Sequence, residues 1–462
     1  MSGLNTSLSI GLQALEVTQG ALEATSNNIA NANTPGYTRE VPQFSEVGQT
    51  LQGEEVVGGG VTLDSLQSVR DELLNLQIQQ QTSLQSSADT QSTSLQQIQT
   101  YFASSSGQDI SSELTAFSSS LAQLSATPAN TASRQSVLSN GQNLANAFNA
   151  TANGLTSAKS AADGQVTETV AQINSLSKQI AQLNGQLAHL SQNGEDGGTI
   201  EDQRDQLVQQ LSGLTGISIT QNEDGSGETI TTGNGTPLVI GSQSFTLQTT
   251  TGSDGTQQVL DSNGNNVTSS IQGGQLGGAI QVRDATIPGF LSQLNTLATQ
   301  FAAAVNSAQA QGFDSNGNAG QSFFSLGANP NDAASSISVS LTSPTQIAAS
   351  SDGSAGSNGN VANLTAALTN DLPSGESAAG AYSALVFQVG SAASDASTQS
   401  TAIGQNLQQL QNQQSSVSGV NVDEETTNLI RYQTAYSAAA RIIDTIQQLN
   451  TITLNLGGSE TF

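Results

Sequence analysis

Apolar residues recur with a helical period at both extreme ends of this 462-residue chain, and this feature constrains its fold most. The amino-terminal stripe repeats every seven residues and consists of Leu8, Leu15, Leu22 and Ile29. Such spacing is typical of an amphipathic or coiled-coil helix. The stripe stops in the segment NNIANANTPGYTRE, residues 27–40, where Pro35 disfavours helical geometry at the preceding residue and Gly36 permits a positive φ. The sequence therefore predicts a long helix that ends in a turn.

The carboxyl-terminal segment carries a second stripe of the same kind. Asn421 stands three residues before Glu424, which resembles a helix capping box, and Asp423 lies where the positive end of a helix favours an acid. The apolar positions that follow alternate steps of three and four: Leu429, Tyr432, Tyr436, Ala439, Ile443 and Ile446. A parallel row includes Ile442 and Leu449. We therefore expect coiled-coil-like helices at both termini.

A pair of terminal helices would still leave apolar surface in water. Fully burying a large aliphatic side chain contributes about 1.5–3 kcal/mol, whereas ordering each residue costs about 1–2 kcal/mol. We therefore expect neighbouring copies of the chain to cover the stripes, although intramolecular packing, and a plain surface loop at Tyr37 and Arg39, are the alternatives. The predicted assembly interface comprises Leu8, Leu15, Leu22, Ile29, Tyr37, Arg39, Leu429, Tyr436, Ile443, Ile446 and Leu449.

Between the termini, the periodicity predicts several further helices and one β region. Helical patterns include Leu66 to Leu76, Ile110 to Leu124 and Val166 to Leu190, whereas residues 217–282 alternate apolar and polar residues between turn-rich clusters. The predicted class is α+β multidomain, mostly α, with a long helical bundle, coiled-coil-like N- and C-terminal helices and an inserted small β domain. The predicted domains are 1–45 and 417–462 (two halves of a terminal-helix core domain), 46–216 and 283–416 (two parts of a helical body), and 217–282 (the inserted β domain).

Composition argues against several classes of partner and chemistry. Only 9 Lys and Arg oppose 36 Asp and Glu, a formal net charge of −27, so nucleic acid and anionic membrane surfaces are poor partners. Cysteine is absent, which removes disulfides and thiolate chemistry. No apolar stretch approaches the ~18 residues of a membrane span, so we expect no membrane insertion. The earliest Lys or Arg is Arg39, which argues against a conventional signal peptide.

The motifs that could carry chemistry favour structural interpretations. His189 is the only histidine and sits in a polar helical pattern, so we expect a solvated helix residue. DSNGN occurs at 261–265 and 314–318 like the opening of a calcium loop, but both copies lack Glu at the twelfth position and are predicted to be turns. DQRD at 202–205 is predicted to cap a helix and form local ion pairs. We therefore predict no catalytic, cofactor or metal site and a protein that is not an enzyme.

Longer segments carry a family resemblance. The two ends, SNNIANANTPGYTRE and SGVNVDEETTNLIRYQTAYSAAARIIDTIQQLN, resemble the ends of bacterial flagellar axial proteins. Within that group, GYTR at 36–39, DQRDQLV at 202–208, GFDSNGNAGQSFF at 312–324 and SGVNVDEE at 418–425 are most similar to the hook-associated protein 1 family. The resemblance covers both ends and much of the helical body and is weak through residues 217–282.

The resemblance implies a structural subunit at the junction between hook and filament, secreted through the flagellar type III apparatus. It implies a homo-oligomer in the axial tube that contacts the hook protein, a second hook-associated (junction) protein and an export chaperone. The candidate chaperone-binding face on the carboxyl-terminal helix is Ile442, Ile443, Ile446 and Leu449. The alternative function is a secreted adhesin or carbohydrate-binding protein that acts through the β insertion.

Overall fold

The computed structural model describes residues 2–48, 50–52, 55–102, 108–193, 197–221, 227–354 and 356–457. The helices are α1 (Ser2–Asn31), α2 (Glu72–Phe102), α3 (Ile110–Ala126), α4 (Thr131–Asn193), α5 (Gly198–Leu214), α6 (Gly274–Gln281), α7 (Ile287–Ala310), α8 (Ala333–Ser336), α9 (Val361–Thr369), α10 (Ala378–Ser418) and α11 (Val422–Gly457). The chain divides into unit 1, residues 1–83, 173–247 and 404–462, and unit 2, residues 84–172 and 248–403. A mostly helical chain with small sheets confirms the predicted fold class.

The strands form five small antiparallel sheets within the described residues. They are β1 (Glu40–Glu46), β2 (Thr50–Gln52), β3 (Glu55–Val57), β4 (Val61–Ser68), β5 (Ile217–Gln221), β6 (Glu228–Thr232), β7 (Pro237–Ile240), β8 (Gln243–Ser244), β9 (Gln248–Thr251), β10 (Gln257–Leu260), β11 (Phe324–Ser325) and β12 (Ser338–Val339). In unit 1, β1 pairs with β4, β2 with β3, and β5 to β8 form one sheet in chain order. The predicted β interval thus contains six strands, and it ends earlier than expected because α6 begins at Gly274. The five-part domain division stays a prediction.

The helical pattern read between Leu66 and Leu76 is wrong in its first half. Leu66 belongs to β4 and pairs with Pro42 of β1, so the strand's period of two decides the structure there. The helix α2 begins only at Glu72. The Asp71 carboxylate marks this start because it accepts a hydrogen bond from the Leu74 amide at 3.0 Å, as an N-terminal capping residue does.

In unit 1, α1 lies against α11 and against the hairpin of β1 and β4. A Cβ on Gly20 would come 2.6 Å from Leu63 Cδ2, so glycine allows α1 to approach β4 closely. The buried apolar residues of the other elements include Leu74 and Ile78 of α2, Val208 and Leu211 of α5, and Ile230 of β6. These contacts place the terminal helices on a folded base of helices and strands.

Unit 2 has a continuous aromatic and aliphatic core. Its helix α9 contacts both α3 and α7, and further core residues come from residues 323–349 and from the parts of α2, α4 and α10 that belong to this unit. The buried phenylalanines of this core are Phe102, Phe117, Phe148, Phe290, Phe301, Phe323 and Phe324. Phe117 and Phe323 meet edge to face with ring centroids 5.4 Å apart, a favoured aromatic geometry. This core gives unit 2 its own source of stability.

A pair of glycine variants tests how tightly unit 2 is packed. A Cβ on Gly278 of α6 would lie 2.7 Å from the Ser87 carbonyl oxygen of α2, so we expect Gly278→Ala to lower the free energy of unfolding by about 1–3 kcal/mol. Gly164 lies exposed in the middle of α4 with no atom within 4 Å of its virtual Cβ, so Gly164→Ala should raise it by about 0.5–1 kcal/mol. Urea denaturation followed by circular dichroism measures both, and equal effects would contradict the described α2–α6 contact.

Candidate assembly site

The two ends of the chain form one helical pair. The buried residues along this contact are Val17, Ala21 and Ala24 of α1 and Ala439, Ile443 and Ile446 of α11. Small side chains on α1 let the helices approach, since even a Cβ on Gly11 would lie 3.1 Å from Ile443 Cγ1. The pair therefore buries one apolar stripe of each helix inside a single chain.

The predicted interface residues differ in exposure. The half-buried ones are Leu8, Leu15, Leu22, Ile29, Tyr37, Arg39 and Leu429. Tyr436 and Leu449 are exposed, whereas Ile443 and Ile446 are only 8% and 6% exposed. In the folded chain, the candidate chaperone-binding residues Ile442, Ile443, Ile446 and Leu449 therefore do not share one exposed face, and their role stays a prediction. The two parallel rows belong to different faces of α11: Ile442 and Leu449 face outward, whereas the other row is buried at Ala439, Ile443 and Ile446 and exposed at Tyr436.

The turn after α1, residues 34–40, holds unit 1 together, and we call it the anchor loop. Gly36 has φ 77°, which other residues rarely adopt, and the Tyr37 amide closes the turn by donating to the Thr34 carbonyl. Three successive amides then donate to three different elements. Thr38 donates to the Asp202 carboxylate of α5 at 2.9 Å, Arg39 to the Ser418 carbonyl of α10 at 3.0 Å, and Glu40 to Asn28 Oδ1 of α1 at 3.0 Å.

The Asn28 side chain is the centre of this arrangement and is 1% exposed. Its Oδ1 accepts from the Glu40 amide and from the Tyr37 hydroxyl at 2.8 Å, and its Nδ2 donates to the Glu40 carbonyl at 2.8 Å and to Glu425 Oε2 at 3.3 Å. Burial, together with Glu40, Asp202 and Glu425, raises the pKa of Tyr37 far above its ordinary value, so its hydroxyl stays a neutral donor. One amide thus joins α1, the anchor loop and α11.

A second contact joins the anchor loop to the start of α11. Arg39 forms an ion pair with Glu424 at 3.2 Å, on a partly exposed surface. The Asn421 half of the predicted capping box is present, since Asn421 Oδ1 accepts from the Asp423 amide at 3.0 Å, whereas Glu424 Oε2 pairs with Arg39. Arg39 therefore contacts α11 of its own chain through its side chain and α10 through its amide.

An ion-pair cluster between Arg70 and α5 holds Asp202, the carboxylate that binds the Thr38 amide of the anchor loop. Arg70 contacts Glu201 at 2.9 Å, Asp202 at 2.7 Å and Asp205 at 3.1 Å, all on the first turns of α5. Burial raises the pKa of Asp202, while the Thr38 amide and Arg70 act in the opposite direction. The sequence predicts only local contacts for this segment, yet the partners of Asp202 lie 132 and 164 positions away. No spacing rule could have found them.

A cleft of about 1000 Å³ lies beside this cluster, entirely within unit 1. Strands β4 and β5 and parts of α2, α4 and α5 line it. Its charged groups contact one another, since Arg204 pairs with Glu228 at 3.0 Å and with Asp205 at 3.1 Å. Burial raises the pKa of Glu228, with Arg204 partly opposing the shift. These ion pairs tie α5 to β6 and thus support the base on which the anchor loop rests.

The remaining candidate motifs take the predicted structural forms. His189 is exposed on α4. Asp261 and Asp314 each accept two hydrogen bonds from backbone amides of their own loop, so both DSNGN segments are turns. Among the described residues, no group of three or more His, Cys, Asp or Glu could hold a metal ion, and no helix is long and apolar enough to cross a membrane.

Three family models match the chain at the places where this geometry is found. The model described as "Flagella basal body rod protein" matches residues 8–38, which include most of α1 and most of the anchor loop. "Flagellar hook-associated protein FlgK helical domain" matches residues 95–324. "Flagellar basal body rod FlgEFG protein C-terminal" matches residues 411–456, which include α11.

Individual relatives align over nearly the whole chain. Flagellar hook-associated protein 1 of Bacillus subtilis is 28% identical over 490 residues, covering 95% of this chain and 96% of the relative. The Salmonella typhimurium protein of that name is 26% identical over 546 residues, covering 96% and 98%. The flagellar hook junction protein FlgK from Burkholderia pseudomallei has a similar fold, with a TM-score of 0.68, 19% identity and coverage of 74% of this chain and all of that one. Over nearly its whole length, the chain is therefore similar to flagellar hook-associated protein 1.

Proposed function

We propose that this protein is a structural subunit of the bacterial flagellum that forms the junction between hook and filament and assembles through its terminal helices. The observation that carries the proposal is the α1–α11 pair, which buries one stripe and leaves Leu12, Ile442, Leu449 and Ile452 between 46% and 54% exposed. Outward apolar residues on paired helices from both chain ends suit a repeated contact between copies. Two family models from rod proteins match these same helices.

The assembly interface follows from the exposure of each predicted residue. Tyr436 and Leu449 are free to contact a neighbour in the folded chain, and Leu8, Leu15, Leu22, Ile29 and Leu429 offer part of their surface. Tyr37 and Arg39 contribute mainly by fixing the anchor loop, because their polar groups already bind Asn28 and Glu424. Ile443 and Ile446 stabilise the helical pair that presents the interface.

The partners of this subunit are other copies of the chain, the hook protein, a second hook-associated protein and an export chaperone. Export through the flagellar type III apparatus would place the protein outside the cell, on the flagellum. For the chaperone, Ile442 and Leu449 are accessible on the folded helix. A chaperone that also gripped Ile443 and Ile446 would have to hold α11 away from α1, because both side chains are buried in the pair.

A structural role leaves no need for catalysis, and we propose none. The alternative function, a secreted adhesin or carbohydrate-binding protein acting through the β region, finds no support among the relatives, whose names are those of hook-associated proteins. In this chain β6 instead supports α5 through the Arg204–Glu228 ion pair. We therefore retain the junction subunit as the single proposed function.

Deleting residues 2–30, most of α1, tests the proposal. Without α1 the stripe of α11 has no partner, so we expect export into the medium without incorporation, while unit 2, which contains no residue of α1, still unfolds cooperatively. The full-length chain with an epitope tag should label one band between hook and filament in electron micrographs. Label along the filament, on the cell surface or at no fixed place would contradict a junction subunit.

A further inference from the structure

The positive charges of the chain are distributed unevenly, and this distribution bears on how copies meet. The sequence has 9 Lys and Arg. Five arginines bind partners within the described part of their own chain: Arg39, Arg70, Arg134, Arg204 and Arg283. Two others, Arg431 and Arg441, are exposed on α11 and form no ion pair with any described residue. Arg431 only lies over the ring of the adjacent Tyr432, at 5.1 Å.

Arg431 shares a helix face with the exposed apolar residues of α11, and Arg441 borders that face. Steps of three, four, seven and eleven keep helical residues on one side. Arg431 lies eleven positions before Ile442, Leu449 lies seven positions after Ile442, and Arg441 lies three positions after Ala438. Ile442 is 53% and Leu449 46% exposed. We call this combination of arginines and apolar residues the outer face of α11.

The exposed side of α1 has the opposite charge. Leu12 is 52% exposed, and Glu16, Gln19 and Glu23 follow it at steps of four, three and four, all exposed. The helix has no Lys or Arg. Gln19 Nε2 donates to Glu23 Oε1 at 3.0 Å, which leaves the second carboxylate oxygen free to accept another bond. We call this stripe the outer face of α1.

Within one chain these two faces do not meet. The contact between α1 and α11 is made by other sides of the helices, which carry Val17, Ala21, Ala439 and Ile443. The outer faces are thus free for neighbouring copies. Pairing α11 with α11 would set arginine against arginine, and pairing α1 with α1 would set glutamate against glutamate. The mixed contact instead sets both arginines of α11 against the glutamates of α1, a helix that has no Lys or Arg to repel them.

We infer that Arg431 and Arg441 of one copy bind Glu16 and Glu23 of a second copy, with Leu12 packing beside Ile442 and Leu449. The inference rests on the proposed function and names which faces of the terminal helices meet. A contact between two different faces is heterologous, so each copy keeps one free face for the next. On a subunit with net charge −27, the two arginines are the positive sites on α11 that offset repulsion between copies.

Charge exchange tests the inference. Arg431→Glu with Arg441→Glu, and separately Glu16→Arg with Glu23→Arg, should each lower the ratio of incorporated to exported protein about tenfold or more, because reversal replaces attraction by repulsion. The chain with all four changes should return to within about threefold of the wild type, since both charges are exchanged. The matched control is Lys159→Glu with Lys178→Glu, which makes the same change in net charge on α4 and should leave the ratio unchanged.

Each outcome decides between the two proposals. The inference is wrong if the arginine variant assembles like the wild type. It is also wrong if the variant with all four changes stays as deficient as either double variant, and in that case the arginines bind some other partner such as the hook protein. Wild-type label missing from the hook–filament band would instead refute the proposed function. Protein recovered from the medium, checked by circular dichroism, shows that a deficient variant was exported and folds.

Discussion

Replacing Asn28 by leucine is expected to lower the free energy of unfolding of unit 1 by about 3–5 kcal/mol. Leucine has as many side-chain heavy atoms as asparagine and branches at the same carbon, so the helix itself remains. The substitution removes both hydrogen bonds to the Glu40 backbone and the one from the Tyr37 hydroxyl. It also deprives the Glu425 carboxylate, in a residue only 4% exposed, of its amide donor. Because these groups belong to both ends of the chain, the loss weakens the attachment of α1 and the anchor loop to α11.

Hydrogen exchange measured amide by amide reports this loss directly. Thr38, Arg39 and Glu40 donate to three different elements, so each amide follows one attachment. The Glu40 amide should exchange about 100-fold faster or more in Asn28→Leu, since about 1.4 kcal/mol corresponds to a factor of ten. The control is Asn27→Leu, an exposed position one residue earlier on the same helix, which should stay within about 0.5 kcal/mol of the wild type. Equal protection in both variants would contradict the role of Asn28.

Replacing Arg70 by methionine is expected to lower the free energy of unfolding of unit 1 by about 3–5 kcal/mol at neutral pH. Methionine keeps much of the aliphatic stem, but the carboxylates of Glu201, Asp202 and Asp205 lose the guanidinium that contacts all three. Arg204 remains nearby and already pairs with Asp205 and Glu228. The free energy of unfolding of Arg70→Lys should lie between those of the wild type and Arg70→Met, because one ammonium group cannot reproduce the contacts of the planar guanidinium. Urea denaturation monitored by hydrogen exchange in residues 198–214 measures these differences.

The deficit of Arg70→Met should shrink as the pH falls. Burial already raises the pKa of Asp202, and loss of Arg70 removes a contribution that lowers it. A carboxyl whose folded pKa lies above its unfolded pKa stabilises the fold below the unfolded value, and this contribution is lost as pH rises through the folded value. The variant should therefore recover part of its stability as the pH falls from neutral toward the ordinary pKa of an aspartate. Lys178→Met, an exposed site on α4, provides the control and should show neither the deficit nor the recovery. A deficit independent of pH would contradict this account.

The parts of the fold predictable from sequence are those with a repeating signal. The stripes at Leu8 to Ile29 and Leu429 to Ile446 predict α1 and α11, because a helical period continues over many turns. The same signal misleads where strand and helix adjoin. Leu66 fits a helical spacing with Leu73, yet a hairpin with β1 is formed, since pairing with a distant strand outweighs local periodicity.

The sequence also could not assign faces or long-range partners. Ile442 and Ile443 are adjacent, equally apolar and both on regular rows, but only Ile443 is buried when α11 packs against α1. Likewise DQRD has the composition of a helix start, and its acids fit a local role. That Asp202 instead binds the Thr38 amide depends on chain segments brought together by folding.

The hydrogen bond between Asn28 and Glu425 spans 397 positions of sequence. A ribosome adds about 5–20 residues per second, so roughly 20–80 s separate the synthesis of these two residues. During that time α1 has been synthesised but α11 has not. The leucines and isoleucines of the α1 stripe are then exposed to other proteins in the cytoplasm. Before α11 is made, only the composition of α1 itself can limit premature association. Glu16 and Glu23 are the only charged side chains of this helix.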